Sequence, residues 1–170
     1  LDQKPDDPIA LARLASIHER LGDVQKAVKL YEKAVKENPK AVAAMVRLSQ
    51  LYLERMKNPQ EALRHARNAR NLAPDDPDVA LAVGRVAFQS GDQRWAQGLL
   101  QEASRKQGKD PELLFDLALA TYSIGRVRDA ELQMQSALAS SSNFSRRDAA
   151  RQFLSLVALT SNPGQLMAAA

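Results

Sequence analysis

The sequence predicts an all-α fold, a right-handed α-solenoid of antiparallel helix pairs with four pairs and one C-terminal capping helix. Three observations predict it. Apolar residues recur at spacings of three and four, glycine and proline interrupt that pattern at regular intervals, and the whole unit returns with a period of about 34 residues. Ala- and Leu-rich stretches with good helix propensity, 5% aromatics and few β-branched clusters argue against a sheet.

Residues 8–41 set the unit. Leu11 is followed at helical spacing by Leu14, Ala15 and His18; Gly22 and Asp23 interrupt; Ala27, Tyr31 and Ala34 resume the pattern until Pro39. Gly22 tolerates a turn conformation and Pro39 cannot continue a helix, so the unit reads as two short amphipathic helices about one tight turn. Ahead of it, Asp6 or Asp7 stands where an anionic side chain suits the free N–H groups of a helix start.

The second unit, 42–76, places Met45, Leu48, Ser49 and Tyr52 over Leu11, Leu14, Ala15 and His18, then Ala62, Ala66, Ala69 and Pro74 over Ala27, Tyr31, Ala34 and Pro39, with one inserted residue in a longer turn at Lys57, Asn58 and Pro59. The third, 77–110, gives Ala80, Val83, Gly84 and Ala87, a turn at Gly91 and Asp92, then Ala96, Leu100 and Ala103. The fourth, 111–144, gives Leu114, Leu117, Ala118 and Thr121, a turn at Gly125, then Ala130, Met134 and Ala137. A serine-rich break follows. Segment 145–170 opens with Ser145 and Asp148 in the spacing of a helix-start box and continues with Ala149, Phe153, Leu156, Val157 and Thr160, which predicts a capping helix or a degenerate fifth repeat. A further short helix is expected through Leu166.

This pattern resembles the tetratricopeptide repeat family, in which a bulky residue, Leu and Gly, Tyr, then Ala, Phe and a closing Pro recur. The resemblance covers roughly residues 8–143. Departures are His18, Ala87 and Thr121 for the first-helix aromatic, Ala66 for the second-helix aromatic, and Gly108 and Ser142 for the closing proline, which imply looser packing at those points.

The chemical inventory points away from catalysis. Without cysteine there is no disulfide, thiolate metal site or thiol nucleophile. His18 and His65 lie on different repeats in packing or edge positions, and no HExxH, GxSxG or phosphate-binding glycine loop occurs. The acid pairs Asp6–Asp7 and Asp75–Asp76 precede Pro8 and Pro77, where capping explains them better than acid–base work. No cofactor or metal is expected. No run reaches the ~20 apolar residues of a membrane span and no signal peptide is evident, which decides little: the compartment is left unknown, between a cytoplasmic and a periplasmic soluble domain. A chain that begins at Leu1 without methionine reads as an excised or processed piece.

Charge is interspersed: residues 1–76 hold fourteen Lys and Arg against eleven acids, the remainder ten against nine. Lys26, Lys29, Lys33 and Lys36, and then Arg64, Arg67 and Arg70, read as solvated outer faces, and a nucleic-acid stripe with stacking aromatics is not formed. Trp95, beside Ala96, reads as a surface-edge aromatic covering a neighbouring helix or as a contact point for another subunit.

The resemblance implies a non-catalytic interaction scaffold whose first helices line a concave face. The inward positions it implies are Ala12, Ser16 and Glu19; Val46, Gln50 and Leu53; Leu81, Arg85 and Phe88; and Phe115, Leu119 and Tyr122, with Arg13 and Arg47 flanking one end and Asp78, Glu112 and Asp116 the other. The groove is expected to accept a peptide or helix of a protein partner along its apolar stripe. Burial of some of these residues by neighbouring repeats or by the C-terminal segment is the competing expectation. The subclass that holds acidic chaperone tails is unsupported, since Ala12, Ser16, Arg47, Asp78 and Ala82 stand where it needs Lys, Asn, Asn, Lys and Arg. A self-associating module using its terminal helices or Trp95 is the alternative, and nucleic-acid binding the weakest. Membership of a larger bacterial assembly rests on analogy with bacterial repeat proteins.

Overall fold

Short amphipathic stretches separated by turn residues form helices only where their ends are satisfied, and here carboxylate and amide side chains do this repeatedly. The computed structural model describes residues 7–108, 110–141 and 143–161, and nine helices make up the regular structure among them. They are α1 (Pro8–Arg20), α2 (Val24–Glu37), α3 (Val42–Glu54), α4 (Pro59–Leu72), α5 (Pro77–Gln89), α6 (Gln93–Gln107), α7 (Pro111–Ser123), α8 (Val127–Ser140) and α9 (Arg147–Ser161). The fold is the all-α helix-repeat solenoid that the periodicity predicts. The predicted final helix through Leu166 lies outside the described residues.

Asp7 accepts from the Ala10 N–H at 2.7 Å, Asp23 from Lys26 at 3.2 Å and Asn58 from Glu61 at 3.1 Å. Asp76 takes the N–H groups of Asp78 and Val79, and Asp110 those of Glu112 and Leu113. Pro8, Pro59, Pro77 and Pro111 occupy the first turns of their helices, where a missing N–H costs nothing. The acid pairs therefore cap helices, through Asp7 and Asp76. Gly22 closes the α1–α2 turn with φ of 82°, and in the second unit Lys57 takes the corresponding left-handed conformation at 54°.

The chain divides into two compact units, residues 1–92 and 93–170, with the boundary falling between α5 and α6, inside the third predicted repeat. In the first unit α1 packs on α2, α3 on α4, and the successive first helices α3 and α5 touch. Its core joins Ala15, Ala27, Val28, Tyr31, Ala44, Leu48 and Leu51. Alanines allow the close approach: Ala27, Ala34, Ala62, Ala66 and Ala69 are fully enclosed. Ala66, Ala87 and Thr121, the smaller residues at family aromatic positions, are all fully buried. His65 is buried and stacks on Tyr52 with ring centres 5.7 Å apart.

In the second unit α6 packs on α7, α7 on α8 and α8 on α9. The core here joins Leu114, Phe115, Ala118, Met134, Ala137, Phe144 and Ala150. Trp95 is half-buried on α6. Lys26, Lys29, Lys33 and Lys36 are exposed along α2, as are Arg64 and Arg67 on α4. These are solvated outer faces.

Candidate functional site

The first helices of the repeats carry the candidate surface, and their register decides which side chains reach it. In the first unit Val46, Gln50 and Leu53 on α3, and Leu81, Arg85 and Phe88 on α5, are each half-buried, while Arg13 on α1 is exposed. Three and four residues apart, these positions share one side of each helix, and partial burial is what a groove wall shows.

Two adjoining hollows open along this side. One, of about 440 Å³, is lined by Ile9, Ala12, Arg13 and Ser16 from α1, Tyr31 from α2, and Val42, Ala43 and Arg47 from α3, among others. The next, of about 400 Å³, lies between α3 and α5, lined by Val42, Ala43, Val46, Arg47, Asp76, Asp78 and Val79. A third hollow of about 400 Å³ is more polar, with Leu53, Glu54, Lys57, Pro59 and Gln89 around it.

Arg47 stands on the ridge shared by the first two hollows, and its donors are already committed. Its Nε donates to Glu19 at 2.9 Å, a second guanidinium nitrogen also reaches the Glu19 carboxylate, and Nη1 donates to Gln50 at 2.7 Å. The hydrogen-bonded Glu19 carboxylate outweighs burial and strengthens the hold of Arg47 on its proton. Burial first, then the Glu19 charge, raises the Tyr31 phenol above its ordinary range, so Tyr31 presents a neutral ring to the hollow. With Arg47 neutralised internally, the hollows of the first unit offer mainly apolar contact, with the Arg13 cation beside one and the carboxylates Asp76 and Asp78 beside the other.

The second unit differs from expectation. Phe115 is only 6% exposed, enclosed with Phe144 and Ala150, and the Arg146 guanidinium lies 4.3 Å above its ring. Arg146 also donates to Glu112 at 2.6 Å and to Asp116 at 2.5 Å, so the two acids expected along the groove hold the C-terminal segment instead. Tyr122 is 43% exposed, but Phe153 of α9 meets its ring edge-on at 5.2 Å, and Leu119 packs against the same cluster. Phe115 is thus core and not part of an open wall, because α9 covers the inward side of α7.

The capping-box reading of Ser145 is also corrected. Its N–H and hydroxyl both donate to Glu112, at 2.9 and 2.6 Å, and α9 begins two residues later. Sequence reasoning missed Tyr31, Val42 and Ala43 as hollow-lining residues. The run of small side chains at 41–44, opposite Ala12 and Ser16, was the available signal: small residues on facing helices leave space.

Among the described residues no cluster of three His, Asp or Glu could hold a metal, and no helix is long and apolar enough to cross a membrane. Two sequence profiles described as Tetratricopeptide repeat match the chain, over residues 8–51 and 81–144. Comparison with curated protein sequences returns no match. Solved structures are similar in fold: MamA at TM-score 0.75 and 20% identity, over 89% of this chain and 84% of that one; and YrrB, described as "a TPR protein with an unusual peptide-binding site", at TM-score 0.79 and 17% identity, over 92% and 79%. MamA 41-end from Desulfovibrio magneticus RS-1 aligns at TM-score 0.70 and 19% identity, over 79% and 76%.

Proposed function

This chain belongs to the tetratricopeptide repeat family, and on that premise we propose that it is a non-catalytic scaffold that takes up a peptide or helix of a partner protein on the inward side of α1, α3 and α5. The observation that carries this reading is the pair of adjoining, largely apolar hollows that share Val42, Ala43 and Arg47. Seating one large apolar side chain in such a hollow contributes roughly 1.5–3 kcal/mol, whereas an exposed ion pair contributes about 0–1, so apolar contact dominates affinity here.

Val46, Leu53, Leu81 and Phe88 form the wall, Arg85 borders it, and Gln50 is held by Arg47 at its rim. Peptide binding by YrrB is consistent with this use of the fold. Leu119 and Tyr122 are left out of the primary site, since α9 already occupies that side of α7.

The test is site-specific photocrosslinking from position 46 in intact cells, with Val46→Asp and Leu81→Asp compared by affinity capture of the crosslinked protein. At least a tenfold loss of capture with unchanged far-UV circular dichroism supports the reading. Capture that survives both substitutions sinks it.

A further inference from the structure

The repeat lets one part of the molecule be read against another. Met45 and Leu48 of α3 stand in register with Leu114 and Leu117 of α7, so Ala43, Val46 and Arg47 correspond to Glu112, Phe115 and Asp116. Ala43, Val46 and Arg47 line the hollow between α3 and α5. Their three counterparts on α7 are the groups that Arg146 touches: its guanidinium lies 4.3 Å from the centre of the Phe115 ring and donates to Glu112 and Asp116. Arg146 immediately precedes α9, as Asp76 immediately precedes α5. In the second unit, therefore, the space beside a first helix is filled by an arginine, set on an apolar wall and between two carboxylates.

In the first unit the equivalent space is open, and the charges are exchanged between its two sides. Ala43 and Val46 stand where α7 has Glu112 and Phe115, while the carboxylates come from Asp76 and Asp78 at the start of α5, both exposed. Arg47, the counterpart of Asp116, is bonded to Glu19 and Gln50, and the Glu19 charge balances its own. The hollow thus joins an apolar wall of Val42, Val46 and Val79 to an acidic rim.

The neighbouring hollow lacks that rim. Ala41 and Ala43, which line it, stand in register with Asp76 and Asp78. A basic side chain is accordingly favoured at one of the two hollows and not at the other. The opening between α3 and α5 is also independent of the ends of the chain, because α3 packs against α2, α4 and α5, α5 packs against α4, and no residue of α1 lines it.

We infer, resting on the peptide-scaffold reading above, that the hollow between α3 and α5 takes an arginine side chain of the partner peptide, with its stem along Val42, Val46 and Val79 and its guanidinium at Asp76 and Asp78. The apolar stem of arginine suits the wall while its charged head stays at the wet rim, and its planar fork suits paired carboxylates better than the ammonium of lysine does.

The probe is a phage-displayed library of random nonapeptides, selected on the immobilised whole chain and counter-selected on Val46→Asp. Peptides that need Val46 carry arginine at least threefold above its starting frequency. The most enriched sequence is then synthesised with each arginine in turn replaced by citrulline, a neutral side chain of the same shape, and titrated by fluorescence anisotropy. At the anchoring position citrulline weakens binding about fivefold on the natural chain, and less than twofold on Asp76→Asn with Asp78→Asn. That variant keeps the start of α5, since asparagine caps a helix as well as aspartate does. Val46-dependent peptides without arginine enrichment, or citrulline losses that are equal on the two chains, overturn this inference and leave the groove reading standing. Absence of any Val46-dependent peptide removes both.

Discussion

The Arg146 guanidinium rests 4.3 Å from the centre of the Phe115 ring while donating to Glu112 and Asp116 on the same helix. One side chain therefore joins the start of α9 to α7 through a ring face, two carboxylates and the Glu112 carbonyl, which accepts from Nη2 at 2.9 Å. Arg146→Ala leaves two partly buried carboxylates without their cation. The expected cost is roughly 1–3 kcal/mol. Thermal unfolding reads this loss, and faster amide exchange in α9 than in α3 assigns it to the second unit. Arg146→Lys recovers part of the charge pairing but not the flat contact with Phe115, so it falls between the two.

Glu112 makes that attachment depend on acid. Burial alone would raise its carboxyl, but hydrogen bonds from Ser145 and Arg146 together outweigh burial and hold it below the ordinary carboxylate value of 4.5. The folded state thus binds its proton less readily than the unfolded state. Its contribution is fully present above that ordinary value and is lost as pH falls through the lower, folded one. Stability of the natural chain should drop more steeply with acidification below about pH 4.5 than that of Glu112→Gln, whose neutral side chain has no such titration. Parallel curves for the two proteins, measured by urea unfolding, would contradict this.

His65 gives a second and distinct pH window. Arg64 donates to its Nε2 at 2.9 Å; a guanidinium can only donate, so that nitrogen accepts and the ring proton sits on Nδ1, which is buried with no hydrogen-bond partner. Burial first, then the Arg64 charge, lowers the imidazole pKa below its ordinary 6.5, against the smaller opposing pull of Glu61 and Glu32. Because the folded state resists protonation, the contribution is complete above 6.5 and declines as pH falls from that value through the lower, folded one. His65→Phe retains an aromatic partner for Tyr52, removes the orphaned N–H and abolishes this decline. Unfolding midpoints that keep the same slope near neutral pH in the variant would count against the assignment.

Much of this was legible in the sequence because helix, turn and repeat signals are local. Leu48, Val83 and Leu117 recur in register and are buried in register; Asp7 and Asp76 cap the helices they precede. The partial burial of Val46, Leu53, Leu81 and Phe88 follows from helical phase and from neighbours of the same kind. Phe115 was not, because its environment is decided by α9, which follows a serine-containing break that shifts the register by three residues. Ser145 failed for a related reason. A local capping pattern competed with a carboxylate 33 residues away in sequence, and the distant partner won both of its donors.

The contrast between Phe88 and Phe115 separates surface from core. Both are aromatic on the first helix of a repeat and were assigned to one wall by alignment, yet Phe88 is half-buried and Phe115 enclosed. Removing Phe115 to alanine opens a cavity among Leu114, Ala118, Phe144 and Ala150 and is expected to cost about 3–5 kcal/mol. Phe88→Ala gives up only part of a side chain's transfer free energy, roughly 1–2 kcal/mol, because part of its ring is already in water. The two variants should therefore part company: Phe115→Ala lowers the unfolding midpoint sharply, whereas Phe88→Ala lowers it by clearly less and weakens partner capture. Equal destabilisation by both would place Phe88 in the core and remove the apolar wall of the first unit.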